Sequence, residues 1–206
     1  MVTTLFSPAE RARIEVAIKA AESGTSAEFV CVAARASESY LFAPVLFSAV
    51  AALAFPVLPW LAGADVPHMA VVQVLVFVLL VAALSPRAIA ARLAGKAQCD
   101  RAARRLAREA FFNLGLAHTR DRTGVLLFAS LAEHHVEVIA DEAIHALAKD
   151  EAWQGVVERF TAALKQGRVA DGYAAALGEL DTILSRLAPR RPDDVNEIKD
   201  RLIEIA

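Results

Sequence analysis

The sequence predicts an α/β fold: a small sheet of doubly buried strands with a β-hairpin, packed by helices and interrupted by a two-helix transmembrane hairpin insertion. Three observations predict it. Glu28–Ala34 and Thr123–Leu131 are apolar on both alternating faces, the pattern of strands covered on two sides. Stretches with helical spacing flank both of them. Between them, no charged residue occurs from Ser39 to Ala64 or from Val66 to Pro86. The chain has 206 residues, 56 % hydrophobic and 22 % charged, enough for one ordinary domain plus an appendage.

The first element is a helix. Ser7 can cap it, Pro8 suits the first helical position, and Glu10 completes a capping box. Ile14, Ile18 and Ala21 share one face, and Gly24 ends the helix. The strand Glu28–Ala34 follows.

The apolar hairpin comes next. A spanning helix needs about 20 mainly apolar residues to cross ~30 Å of hydrocarbon. Leu41–Ala62 has that length, and Met69–Ser85 reaches it with Pro67 and His68 at the interface. Pro44, Pro56 and Pro59 can bend the first helix, and Tyr40 and Trp60 stand at its two ends, at headgroup level. Cations cluster after the second helix, whereas the Gly63-Ala64-Asp65 loop has none. The positive-inside rule therefore puts both termini on the cytoplasmic side and Ala64 on the far side.

Ser85-Pro86 starts a further helix that runs to Asn113-Leu114-Gly115. Thr123–Leu131 is the second central strand, Glu133 and His134 form a turn, and His135–Ala140 returns as an alternating hairpin partner. Helices over Ala152–Gln166 and Val169–Leu187 follow, with Gly167 as the stop between them. Pro189–Asp194 ends the order, and Val195–Ile205 forms a short helix or a mobile tail. Neither piece beside the hairpin has enough strands and helices for a core. Residues 1–38 and 87–188 are thus two parts of one α/β domain, 39–86 the hairpin and 189–206 the tail.

Chemistry is sparser. A formal charge of −2 argues against a nucleic-acid partner. Cys31 and Cys99 form no CxxC, which argues against a disulfide scaffold or cysteine zinc site; both read as buried residues. His134 and His135 form a pair at the predicted turn, with Glu133 and Glu137 close in sequence; adjacent residues on a strand point to opposite faces, a poor arrangement for one metal ion. Asp121 precedes one strand of the hairpin and Asp141 and Glu142 follow the other, a set of oxygens that could hold calcium or magnesium. The same acids also suit a helix start. Arg87, Arg92, Lys96, Arg101 and Arg105 read as contacts to anionic lipid headgroups at the membrane surface.

The segment Thr119–Asp141, with its Gly124-Val125-Leu126-Leu127 strand and Val136–Ile139 return, resembles the core of the TPM domain family (TPM phosphatase-like), in its bacterial membrane-protein branch. Trp153, Val156, Val157, Phe160, Lys165–Arg168 and Gly172-Tyr173 resemble that family's final helices. The resemblance covers about Ser7–Ala34 and Gln98–Leu187. It implies a small α/β domain tethered to a membrane, with acid phosphatase activity and calcium binding in a few members and no assigned activity in many bacterial ones. Where relatives carry Asp-Asn-Gly, this chain has Arg122-Thr123-Gly124. Where they carry a glycine-rich turn, it has Ala140-Asp141-Glu142-Ala143. The expected protein is an integral membrane protein of the bacterial inner (plasma) membrane. Its domain is a non-catalytic binding or regulatory module facing the cytosol. The lipid bilayer and other membrane proteins are its partners, and no cofactor is required. The alternative is a weak acid phosphatase using calcium or magnesium on Asp121, Asp141 and Glu142.

Overall fold

Strands β1 (Glu28–Ala34) and β2 (Gly124–Ser130) are buried at every position and pair in parallel, Glu28 opposite Gly124 and Ala34 opposite Ser130. The chain pieces on either side of the apolar segment therefore share one sheet. This computed structural model describes residues 4–57, 61, 69–148, 151–194 and 196–205. The chain divides into two units, Met1–Ser37 with Arg101–Ala206, and Glu38–Asp100.

In the first unit, β3 (His135–Ala140) runs antiparallel to β2, and β4 (Leu202–Ile205) lies parallel to β1 at the opposite edge, giving the order β3-β2-β1-β4. Alternation along β1 and β2 sends side chains to two cores. Phe29, Cys31, Ala33, Val125 and Leu127 meet α1 (Pro8–Glu22), α7 (Glu151–Lys165) and α8 (Val169–Leu187). Val30, Val32, Leu126 and Phe128 meet Ala103, Ala107, Ala110 and Phe111 of α5 (Lys96–Asn113). Parallel neighbours need a crossover connection. Here the β1-to-β2 crossover carries the whole second unit and α5.

Ser7 caps α1 through the expected capping box. Tyr173 is fully buried and donates its hydroxyl to the Val32 carbonyl at 2.6 Å, and its ring meets Phe160 edge-on at 4.6 Å. Cys31 and Cys99 are both buried.

In the second unit, α2 (Phe42–Ala54) and α3 (Met69–Leu84) pack on each other, followed by α4 (Arg87–Ala94). Its packing is inverted relative to the sheet domain. The buried residues of α2 are Pro44, Ser48 and Ala52, one stripe of small side chains, whereas α3 buries none. Large apolar side chains face outward: Phe42 is 76 % exposed, Leu53 66 % and Leu79 67 %.

Several expectations are corrected. Among the described residues no helix is long and apolar enough to cross a membrane. At about 1.5 Å per residue, the 13 residues of α2 and 16 of α3 rise roughly 20 and 24 Å, short of ~30 Å. The first run does not continue as one α-helix: α2 stops at Ala54, and a turn at Phe55-Pro56 follows, because proline removes a donor and clashes with the preceding turn. Tyr40 is buried instead of lying at an interface. Pro59, Trp60, Gly63, Ala64, Asp65, Pro67, His68 and Val195 lie outside the described residues. The helix expected from Ser85 to Gly115 is two, broken at Gly95, whose φ of 85° is left-handed. A short helix, α6 (Glu142–Leu147), follows β3. The tail is neither helix nor loose end: Leu202–Ile205 is β4, and Arg11 fixes it by an ion pair to Glu204 and a 3.1 Å bond to the Leu202 carbonyl.

Candidate functional site

One end of the sheet gathers Asp121, Asp141 and Glu142, the three acids that the sequence pattern singles out. β1 and β2 begin there, and β3 ends there, with the Asp141 N–H bonded to the Gly124 carbonyl at 2.8 Å. The turn before β2 is tight. A Cβ on Gly124 would lie 2.4 Å from the Leu116 carbonyl oxygen, so this position must be glycine. Arg122, two residues earlier, takes a left-handed φ of 58°.

The structure brings Asp141 and Glu142 together on Arg122. Buried Asp141 caps α6, accepting the Glu142 N–H at 2.8 Å. Its Oδ1 also accepts Arg122 Nη2 at 3.0 Å, and Arg122 Nε lies 2.8 Å from Oδ2 as an ion pair without hydrogen-bond alignment. Exposed Glu142 stands 3.8 Å from the same guanidinium. Asp121 belongs to a different set: it pairs with Arg191 from the C-terminal segment and, at 3.3 Å, with Arg120. Each acid thus faces a guanidinium. Among the described residues no three of His, Cys, Asp and Glu are grouped to hold a metal ion. His134 sits exposed in the β2–β3 turn, and His135 Nε2 lies 3.2 Å from Glu137 Oε2 on its own strand.

The C-terminal segment crosses this end of the sheet and completes a site that the sequence does not announce. Glu28, buried at the start of β1, accepts the backbone N–H groups of Glu197 at 3.3 Å and Ile198 at 3.2 Å. Glu22, at the end of α1, accepts the Phe29 N–H at 2.9 Å and the Asn196 amide at 3.3 Å. Asn196 also bonds Asp200. Glu22, Glu28, Asn196 and Asp200 line a cavity of about 160 Å³, with Lys19 and Arg190 supplying positive charge.

Burial pushes the Glu22 carboxyl up to about 9, against the Phe29 N–H that lowers it, and neighbouring Asp200 and Glu28 raise it further. At neutral pH Glu22 therefore keeps its proton, in a side-chain hydrogen bond with Asp200. Burial also raises Glu28, opposed by the two tail amides, while Asp194 and Glu197 push it up. The one early sign of this cavity is a glutamate opening an otherwise apolar strand. The chemistry available here is proton storage and hydrogen bonding to backbone.

The cations divide between the units. Arg87 and Arg92 are exposed on α4, and exposed Lys96 pairs with Asp100 at 3.1 Å. Arg101 and Arg105 are exposed on α5, Arg105 lying 4.0 Å from Glu109.

Comparison with known proteins gives three results. Residues 75–183 match the model of the TPM domain. That match starts in α3 and ends in α8, and it leaves out Ser7–Ala34, although β1 is central to the sheet. The NMR structure of BA42 protein from the psychrophilic bacterium Bizionia argentinensis is similar over 99 % of this chain and 98 % of that one. Its TM-score is 0.63 at 16 % identity, a likeness of fold alone. No curated protein matches the chain.

Proposed function

Since the chain belongs to the TPM domain family, we propose that it is a membrane-anchored binding or regulatory module without catalytic turnover. Its apolar helices hold it at the bacterial inner (plasma) membrane with both termini in the cytoplasm. The observation that carries this reading is the inverted second unit. Small residues of α2 face inward, and Phe42, Phe47, Leu53, Val71 and Leu79 face outward. Small-residue stripes are how helices pack in lipid, where large apolar side chains belong on the outside. In water each such side chain, half to three-quarters exposed, forgoes roughly 1–2 kcal/mol of burial. An apolar surface this extensive marks an interaction site. The reading needs the α2–α3 pair to be embedded in hydrocarbon; it does not need either described helix to cross the bilayer alone. Arg87, Arg92 and Lys96, following α3, favour the cytoplasmic side for the flanks.

The absence of turnover is supported by the arginines at the sheet end. A hard cation needs converging carboxylate oxygens, and Asp121 and Asp141 instead neutralise Arg191 and Arg122. The tail over Glu28 suits a module that binds, with other membrane proteins as partners. Alkaline carbonate extraction of membranes from expressing cells tests the anchor: the chain stays in the pellet, and recovery in the supernatant would overturn the reading. A phosphomonoester assay with and without calcium or magnesium tests the rest. No turnover is expected; turnover abolished by Asp141→Asn would establish a phosphatase instead.

A further inference from the structure

Helix α5 carries a face that neither core uses. Arg101, Arg104, Arg105, Arg108 and Phe112 follow the spacing i, i+3, i+4, i+7 and i+11. At 100° per residue they fall within roughly 100° of arc, along about 16 Å of helix. The opposite side supplies Ala103, Ala107 and Ala110 to the sheet. All four arginines on this face are exposed, and Phe112 projects with 63 % of its surface in contact with solvent. Between positions 101 and 112 the one carboxylate is Glu109, on the flank of the stripe.

Four exposed guanidinium groups in a row, one of them 4.0 Å from Glu109, end in an exposed phenyl ring that meets Phe111 edge-on at 5.7 Å. By charge and polarity this surface complements a dense array of anionic oxygens with hydrocarbon a few ångströms below them. We infer that this face of α5 lies flat on the anionic leaflet of a lipid bilayer, the arginines on headgroup phosphates and the Phe112 ring among the upper acyl chains. The inference rests on the anchoring reading above and adds to it a second contact that responds to lipid charge. Guanidinium groups match phosphate oxygens bidentately and are weakly hydrated, so they suit this layer better than lysine. A nucleic acid would satisfy the arginines, but the chain's net charge of −2 opposes it, and a groove-facing stripe has no need of an apolar ring at its end. An acidic protein would likewise leave the ring without a reason.

The test uses the full-length chain with Phe112→Cys carrying an environment-sensitive fluorophore; the native Cys31 and Cys99 are buried and resist labelling. The chain is reconstituted into vesicles of phosphatidylcholine alone and of phosphatidylcholine mixed with phosphatidylglycerol. In the anionic vesicles the emission shifts blue and brominated lipids quench it; in the neutral ones it stays water-like. Salt at about 1 M, where the screening length falls to roughly 3 Å, reverses the shift. Replacing Arg104 and Arg108 by Gln lowers the ratio of docked to undocked chain roughly 30-fold. A label that stays wet in both vesicles while the chain floats with both overturns the lipid face alone. A chain that floats with neither overturns the anchoring reading and the lipid face with it. A label that responds to polyglutamate and to neither vesicle assigns the face to an acidic protein and overturns the inference.

Discussion

The Glu28 carboxylate accepts the backbone N–H of Ile198 at 3.2 Å, across 170 residues of sequence. With the Glu197 N–H on its other oxygen, this buried side chain ties the C-terminal segment to the first central strand. Glu28→Ala leaves two amides without an acceptor and should cost about 1–3 kcal/mol. The loss should concentrate in the tail: hydrogen exchange at 202–205 speeds up, and limited proteolysis cuts after residue 190. Glu28→Gln keeps one acceptor oxygen and turns an amide NH2 toward the second backbone N–H, so both readouts should fall between wild type and Glu28→Ala. Equal behaviour of the two variants would remove Glu28 from this role.

Glu22 gives the same region a pH dependence. Its carboxyl lies at about 9 when folded against an ordinary value of 4.5, so the folded state holds more protons than the unfolded state between those values. Its contribution to stability is complete below about 4.5 and is lost progressively as the pH rises toward 9. Glu28, also raised, acts with the same sign. Glu22→Gln should flatten the fall in melting temperature between pH 5 and pH 9, both inside that window, and should be more stable than wild type at its upper end. The difference between the two melting curves against pH isolates this group from the other carboxylates.

The sequence made the two central strands legible because alternation reports burial on each face, and Val30 and Cys31 are apolar in either direction. It showed the helix starts because Ser7, Pro8 and Glu10 act locally. The tail was not legible. Leu202–Ile205 is four residues, too short for its period to tell strand from helix, and its place depends on Arg11 and Leu5 at the far end of the chain. The Glu22–Glu28 cavity was hidden for the same reason, since the tail forms its wall. Asp141 and Glu142 were found, but their partner Arg122 was not, because a left-handed turn aims its side chain. The run beginning at Leu41 read as one helix because hydropathy averages over Pro56, which backbone sterics do not.

Two glycines of α8 should respond in opposite directions. A Cβ on Gly172 would lie 2.3 Å from Phe160 Cδ2, in the close contact between α7 and α8. Gly172→Ala should destabilise by about 1–3 kcal/mol through overpacking. Around Gly178 nothing lies within 4 Å of the same position. Gly178→Ala should stabilise by roughly 0.5–1 kcal/mol, since alanine loses less conformational freedom in a helix. Denaturant midpoints of the two variants decide it, and the same sign for both would refute the packing at α7–α8.

Asp141 does two jobs that substitution can separate. It caps α6 through the Glu142 N–H and carries the charge that pairs with Arg122. Asp141→Asn keeps a good capping oxygen and loses the charge; Asp141→Ala loses both. The alanine variant should be less stable than the asparagine variant by about 1 kcal/mol, the value of a cap. If the two unfold alike in urea, the cap contributes nothing and the ion pair accounts for the whole effect.

The anchoring proposed above, with both termini in the cytoplasm, predicts that every part of the sheet domain sees the same side of the membrane. Val16 on α1 and Arg168 before α8 are exposed and belong to the same unit, one from before the apolar helices and one from after them. A cysteine at either position, Val16→Cys or Arg168→Cys, should therefore give the same labelling pattern. An impermeant maleimide should miss both in intact spheroplasts and reach both in inverted vesicles. Labelling of both in spheroplasts would put the domain outside and reverse the orientation that Arg87, Arg92 and Lys96 favour. Opposite results for the two positions would require the polypeptide to cross the bilayer an odd number of times between them. That cannot be reconciled with β1 and β2 lying side by side in one sheet, hydrogen-bonded from Glu28 and Gly124 to Ala34 and Ser130. The experiment thus examines the parallel pairing as well as the orientation, because a domain assembled from both flanks can stand only on one side.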